Sequence, residues 1–279
     1  MEAPSNTHGR TVLEQAYVLH YRPYRDSSLI VEILTAAQGR IALVARGARR
    51  PRSRMHGLLQ PFRPLLASWT LRGEMGSLTA VEVRDSSGLS GRMLISGFYL
   101  NELLMRLLHR HDPHPGLFAN YEAALRRLAS PEIAAEAEQS VLRLFEATLL
   151  RELGYGLVLD HEIMAGAPIL PDAMYYYYPE RGPVREDAVT MHHTVRDEAG
   201  EYVAHARPVH LHGGSLLALA RGELHDAVHL HEAKRLLRTA LEARLGGKPL
   251  ASRKLFRRRR AGRGAEAETE LTMEGGGRA

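Results

Sequence analysis

Apolar positions in the first eighty-odd residues recur with period two. Gln15, Tyr17, Leu19 and Tyr21 alternate with Ala16, Val18 and His20, and Leu29, Val31 and Ile33 alternate with Ile30, Glu32 and Leu34. Ile41, Leu43 and Ala45 share a face after a turn at Gly39, and Leu65, Ala67, Trp69 and Leu71 form another set. Leu78 and Ala80 oppose Thr79, Val81 and Val83. Strict alternation with β-branched enrichment is the mark of half-buried strands. Five such strands separated by Gly-bearing turns predict a small antiparallel barrel. Barrels of this size are commonly OB-folds, which bind oligonucleotides across one face. An SH3-like barrel or a strand meander without a ligand answers to the same pattern.

After Ser86-Ser87-Gly88 the period becomes helical. Phe98, Leu100, Leu103, Leu104, Leu107 and Leu108 predict one helix, which the loop HDPHPG at 111–116 breaks. A second helix carries Leu117, Tyr121, Leu125 and Leu128. Ser130-Pro131-Glu132 has the form of an N-cap followed by a first-turn proline. It predicts the start of a third helix, with Ile133, Val141, Leu142, Leu144, Phe145, Leu149 and Leu150, and Gly154 as its left-handed C-terminal cap. Residues 160–212 carry Pro168, Pro171, Pro179, Pro183 and Pro208, which forbid long helices, and Tyr175 to Tyr178 read as a short strand or loop. Helix returns at 214–222 and 225–245, the latter ended by Gly246-Gly247. The expected organisation is α+β: a barrel domain over 1–85, a mostly helical domain over 86–263 with an irregular insert at about 160–212, and a polar, Gly-rich tail at 264–279 expected to be disordered.

Composition narrows the function. The 279 residues are 44% hydrophobic and 25% charged, ordinary for a globular protein. There is no cysteine, which removes disulfides, thiol nucleophiles and Cys-based zinc sites. The first residues, MEAPSNTHGR, have no apolar core and no apolar run is long enough to span a bilayer, so a cytoplasmic protein is expected. The net charge of +5 favours a polyanionic partner.

Where the charge sits says more. Arg46, Arg49, Arg50, Arg52 and Arg54 fall in the stretch RGARRPRSR, which contains no acid and follows the third strand. Gly47 and Pro51 argue for a flexible loop at the barrel mouth. Guanidinium groups suit phosphate because they are planar, permanently charged and bidentate. Arg22, Arg25 and Arg40 flank the first strands and extend the expected patch, with Tyr24 as a candidate for stacking on a base, while Trp69 shares a face with Leu65 and Leu71 and reads as core. A second basic segment, GGKPLASRKLFRRRR, carries Lys248, Arg253, Lys254 and Arg257 to Arg260. His225 and His229 are four apart, near His231, and His192, His193, His205, His210 and His212 precede them, but no glutamate follows the first of the pair and no third ligand is specified. No metal or cofactor is expected. Without a P-loop, a GxGxxG, a G-x-S-x-G elbow or an HExxH, the sequence points away from catalysis.

Taken together, these segments resemble the RecO family of bacterial recombination mediators, as a cysteine-free, proteobacterial-type member. The likeness runs from about residue 10 to 258 through AYVLHYRPYRDSSLIVEILTAAQGRIALVARGARRPRS, FYLNELLMRLLHRHDPHPGLF, LFEATLLRELGYGL and LLALARGEL with AKRLLRTALEARLGGKPLASRKLF, in that order. The resemblance implies an N-terminal OB domain, a helical C-terminal domain and no catalysis. It implies binding of single- and double-stranded DNA and annealing of complementary strands. It implies action with RecR, and in many bacteria RecF, to load the recombinase RecA onto strands coated by single-stranded DNA-binding protein. Some members hold a Cys-ligated zinc, which this chain cannot. Carried over, the loop Arg46 to Arg54 becomes the barrel's DNA-binding segment, and Lys248, Arg253 and Lys254 a second DNA contact. The family also docks the acidic, apolar-ended tail of single-stranded DNA-binding protein on its helical domain. Such a tail needs cations beside an apolar groove, and Arg126, Arg127 and Arg143, near Leu125, Leu128 and Phe145, are the candidates.

Overall fold

The structure is a computed structural model that describes residues 10–71, 75–85, 88–189 and 208–256. The tail 264–279, Arg257 to Arg260 and the histidines His192, His193 and His205 lie outside the described residues.

The alternating segments form β1 (Arg10–Tyr24), β2 (Ser28–Thr35), β3 (Gly39–Ala45), β4 (Pro64–Thr70) and β5 (Met75–Val83). They close into a barrel in the order β1-β2-β3-β5-β4, with β3 and β5 parallel and the other pairs antiparallel. This is the OB arrangement. Closure depends on the length of β1, which serves β4 through Arg10 to Tyr17 and β2 through Ala16 to Tyr24. Gly76 is required where β3 meets β5, since a Cβ there would lie 2.6 Å from the Leu43 side chain and 2.7 Å from the Thr70 carbonyl. Ala16, Val18, Val31, Ile33, Ile41, Leu43, Leu65, Ala67 and Trp69 fill the interior, as their period predicts.

The helical part comprises α1 (Met93–Leu107), α2 (Pro115–Leu128) and α3 (Ala135–Glu152), then β6 (Met174–Tyr178), β7 (Gly182–Arg185) and the single turn α4 (Glu186–Val189). It ends with β8 (Val209–His212), α5 (Gly213–Arg221) and α6 (Ala227–Arg244). The tyrosine run is a strand: β6 lies between β7 and β8, with Tyr175 and Tyr177 buried and their neighbours half-buried. Among the described residues no helix is long and apolar enough to cross a membrane.

One expectation is corrected. Ser130 does not cap α3, which starts five residues later, at Ala135, without a side-chain cap. The Ile133 amide donates back to the Ser130 carbonyl at 3.3 Å, and the Arg92 guanidinium donates to the Ile133 carbonyl at 2.5 Å. That tertiary bond turns the segment into a separate turn before the helix. Gly154, by contrast, takes the left-handed cap conformation expected of it, at φ 81°.

Barrel and helices share a core. Tyr17, Leu19 and Leu34 face outward from the barrel and join Leu100, Leu103, Leu104, Tyr121 and Phe145 in one apolar cluster. Asn101, buried in this seam, donates to the Leu19 carbonyl at 2.8 Å and accepts from the Tyr121 hydroxyl at 2.6 Å. At the β2–β3 turn, Gly39 sits at φ 64° where a Cβ would fall 2.0 Å from the Asp112 carbonyl, so only glycine admits the helical loop so close.

Candidate nucleic-acid interface

The expected basic loop is a chain of turns anchored to the barrel. Gly47 donates to the Ser28 hydroxyl at 3.3 Å and the Arg49 amide to the Ser27 carbonyl at 2.9 Å, which staples it to the β1–β2 turn. Turns then follow from Arg50 to Gly47, Ser53 to Arg50 and His56 to Ser53. Ala48 and Leu59 are buried in the barrel core. With its small and apolar residues turned inward, the loop presents Arg46, Arg49, Arg50, Arg52 and Arg54 to solvent. Among the described residues none of these five pairs with a carboxylate; the Arg49 guanidinium reaches only the Asp26 backbone carbonyl, at 3.4 Å.

A cleft of about 480 Å³ opens at this end of the barrel, between the β1–β2 turn and the start of the loop. Tyr24, Arg25, Val44, Arg46 and Arg50 line it, with Ser27 and Ser28 at its floor. Arg25 adopts φ 51°, a conformation that costs a non-glycine residue free energy, and its guanidinium lies 5.2 Å from the Tyr24 ring centroid. Arg22 is exposed two residues before Tyr24, on the same stretch of β1. The arrangement offers phosphate donors around one aromatic ring, and among the described residues none of these arginines forms an ion pair with a carboxylate.

The structure separates Arg40 from this cluster. Arg40 stands at the opposite end of β3, half-buried, with its guanidinium 3.7 Å from Glu32 Oε2. Arg110, from the loop after α1, forms an ion pair with the same carboxylate. The expectation that Arg40 extends the patch is therefore corrected: the barrel supplies its counter-charge. The same ion pairs and the 108–114 loop cover part of the outer face of β2 and β3.

In the closing segment, Lys248 and Lys254 are exposed, whereas Arg253 turns inward and donates to Glu242 at 2.6 Å. Glu102 of α1 fixes this segment by accepting from the Ala251 and Ser252 amides at 2.8 and 2.9 Å. Burial raises the pKa of Glu102, but these bonds and Arg106 outweigh it and hold the carboxyl below its ordinary value.

The three arginines expected at an apolar groove do not converge. Arg126 is exposed and pairs with Glu122 one turn before it, and Arg127 is exposed beside it on α2. Arg143 is buried on α3, so grouping it with the other two is corrected. It borders a cavity of about 300 Å³ between α1, α3, α6 and the closing segment, where Lys234, Arg238, Arg253, Leu142 and Phe256 also lie. Arg143 Nη2 is 2.5 Å from Glu146 Oε1, which also accepts from the Tyr99 hydroxyl at 2.5 Å. Burial pushes the Glu146 carboxyl upward against the opposing pull of Arg143 and Tyr99. Arg143 Nε is buried with no hydrogen-bond partner among the described residues. Lys234 and Arg238 were not singled out from the sequence. Their spacing of four on a helix was the available signal. Two of the histidines meet carboxylates: His212 meets Glu232 at 2.8 Å and His210 meets Glu186 at 3.1 Å.

Comparison with known proteins agrees with this architecture. The family model for the recombination protein O N-terminal region matches residues 10–87, and that for its C-terminal region matches 89–254. The chain is 47% identical over 251 residues to the DNA repair protein RecO of Nitrosococcus oceani, covering 88% of this chain and 93% of the relative. It is 47% identical over 249 residues to that of Alkalilimnicola ehrlichii, at 89% and 92% coverage. To that of Aromatoleum aromaticum it is 42% identical over 245 residues, at 88% and 94%.

Proposed function

The chain belongs to the RecO family of DNA repair proteins, and from that premise we propose that it is a recombination mediator without catalysis of its own. It binds single- and double-stranded DNA, anneals complementary strands, and helps load RecA onto strands coated by single-stranded DNA-binding protein, with RecR and RecF as partners, on the cytoplasmic nucleoid. Its DNA-binding barrel ends at about residue 85 and its partner-binding helical domain follows. The observation that carries this reading is the set of five exposed arginines at the barrel mouth with no carboxylate partner among the described residues. Arginines left uncompensated by the protein gain most from an incoming phosphate. Each neutralised phosphate frees counterions and adds roughly 0.7–0.9 to the slope of log affinity against log salt. Engagement of four or five loop arginines predicts a slope of roughly 3–4.5 by that rule. Changing Arg49, Arg50, Arg52 and Arg54 together to Ala should leave the fold intact, weaken binding to every sequence and flatten the slope. A slope equal to that of the unaltered protein defeats the role given to the loop.

A second reading, of a partner-recruiting protein with only secondary DNA contact, draws on the cavity beside Arg143. Four cations there (Arg143, Lys234, Arg238 and Arg253) stand against Glu138, Glu146 and Glu242, and Tyr99, Leu142 and Phe256 supply apolar wall. An acidic peptide ending in phenylalanine suits such a site, which is the chemistry of the tail of single-stranded DNA-binding protein. Under this reading, changing Arg238 to Glu abolishes binding of a labelled peptide of that kind and leaves DNA binding untouched. The two readings are compatible if loop and cavity variants lose different partners.

A further inference from the structure

Annealing requires that two strands be held at once, and the cleft beside Tyr24 accounts for one. A different cluster lies where α3 and α6 end together. Gly154 terminates α3 and turns the chain so that Tyr155 projects from the helix end with its amide bonded to the Leu150 carbonyl at 2.8 Å. The last residue of α6, Arg244, lays its guanidinium over this ring at 3.8 Å from the centroid, yet the tyrosine keeps 46% of its surface exposed. Arg151, one turn before Tyr155, is exposed, as is Lys248, four residues after Arg244. Among the described residues neither of these cations nor Arg244 is paired with a carboxylate. Gly246 and Gly247, both at positive φ, have nothing within 4 Å of where a side chain would begin, so the approach to Lys248 is open.

Cations at helix C-termini have an ordinary use, since each terminus carries about half a negative charge. Two termini account for roughly one unit and Glu152, the last residue of α3, for another, against three from Arg151, Arg244 and Lys248, so a net positive charge of about one is left over. The helix dipole also gives no reason for an exposed aromatic ring beneath one of the arginines. A half-open tyrosine backed by a guanidinium is a surface on which an unpaired base can stack, with phosphates on either side meeting the free cations.

We propose that Tyr155 and Arg244, with Arg151 and Lys248, form a second contact for single-stranded nucleic acid, distinct from the barrel mouth. The proposal rests on the reading of the chain as a DNA-annealing protein. The platform is built from other elements than the basic loop, lying at the ends of α3 and α6 whereas the loop follows β3. Gly39, at the other end of β3 from Arg46, abuts Asp112, and the same loop continues to His114, which meets Glu152 at the end of α3 at 3.9 Å. Two strands can then occupy one molecule without meeting their mutual repulsion at a single site. Lys248 acts here, while Arg253, its neighbour in the sequence motif, faces the cavity.

The test uses the full-length protein and an oligothymidylate containing 5-iodouracil. Irradiation should give an adduct on Tyr155, located by fragmentation of the peptide. Tyr155→Ala should lower affinity for the single strand about tenfold and slow annealing, with less than a twofold change for a duplex of equal length, whose bases cannot stack. Tyr155→Phe, which keeps the ring, should bind like the unaltered protein. Adducts confined to the barrel, or equal single-strand affinity for Tyr155→Ala, overturn the proposal. If the barrel variant with Arg49, Arg50, Arg52 and Arg54 changed to Ala is impaired while Tyr155→Ala is not, the platform alone is wrong. If the barrel variant binds normally, the role of the loop is wrong, and an adduct on Tyr155 still supports the platform.

Discussion

Arg40, Arg143 and Arg253 show what a sequence withholds about a single residue. Each stands in a basic or amphipathic stretch and reads as a free cation, yet each has a counter-charge from elsewhere in the chain or from a helix face whose orientation only packing decides. Arg40 and Arg110 converge on Glu32, and Arg110 is 78 residues away from it. The loop arginines were legible because their segment contains no acid and no periodicity that could bury them. For Arg143 the consequence is energetic. Its pair with Glu146 is almost wholly buried, at 6% and 1% side-chain exposure. Removing one partner of such a pair strands a charge, which costs about 3–5 kcal/mol, whereas replacing both by apolar groups is often close to neutral. Arg143→Met is therefore expected to lower unfolding free energy in urea by about 3–5 kcal/mol, with Arg143→Met/Glu146→Leu recovering part of the loss, less the roughly 1–3 kcal/mol of a Tyr99 hydroxyl left without its acceptor. Equal losses in the single and double variants would show that the two side chains do not act as a pair.

At the scale of elements, period and punctuation served well wherever local chemistry was left to decide. The alternation in β1 to β5 put the expected residues inside the barrel, and the glycines at 154 and 246–247 ended their helices. The exception is instructive because the chain carries the same kind of residue at two places. Ser130 and Asp226 are both good N-cap residues. Asp226 caps α6, accepting from the Val228 and His229 amides at 2.7 and 3.2 Å. Ser130 has no such role, because Arg92 claims the Ile133 carbonyl and the chain turns again before α3 begins. Two thermal melts separate the cases. Asp226→Ala should cost about 1 kcal/mol, the usual loss for a cap, while Ser130→Ala should change stability by less than about 0.5 kcal/mol. A comparable loss for Ser130→Ala would mean that its side chain supports the turn in a way the backbone bonds do not reveal.

On the scale of the whole molecule, the matched segments divide the chain near residue 88, but its packing does not. Tyr17, Leu19 and Leu34 of the barrel lie in the same apolar cluster as the helices, and Asn101 ties β1 to α2 through buried hydrogen bonds. Domains that share a core and its buried polar bonds are expected to unfold together. The protein provides its own reporters. The single tryptophan, Trp69, is fully buried inside the barrel, and the far-ultraviolet circular dichroism comes mainly from the helices. In the unaltered protein, Trp69 fluorescence and ellipticity at 222 nm should therefore report one urea midpoint. Asn101→Leu removes the donor to the Leu19 carbonyl and the acceptor for the Tyr121 hydroxyl. Each group left buried and unpaired costs about 1–3 kcal/mol. The same substitution weakens the coupling between the two halves, so the midpoints should both fall and then separate, the barrel signal and the helical signal no longer coinciding. If the unaltered protein already shows two midpoints, barrel and helices are independent bodies in contact, and the seam at Asn101 contributes little to holding the two proposed DNA contacts in a fixed relation.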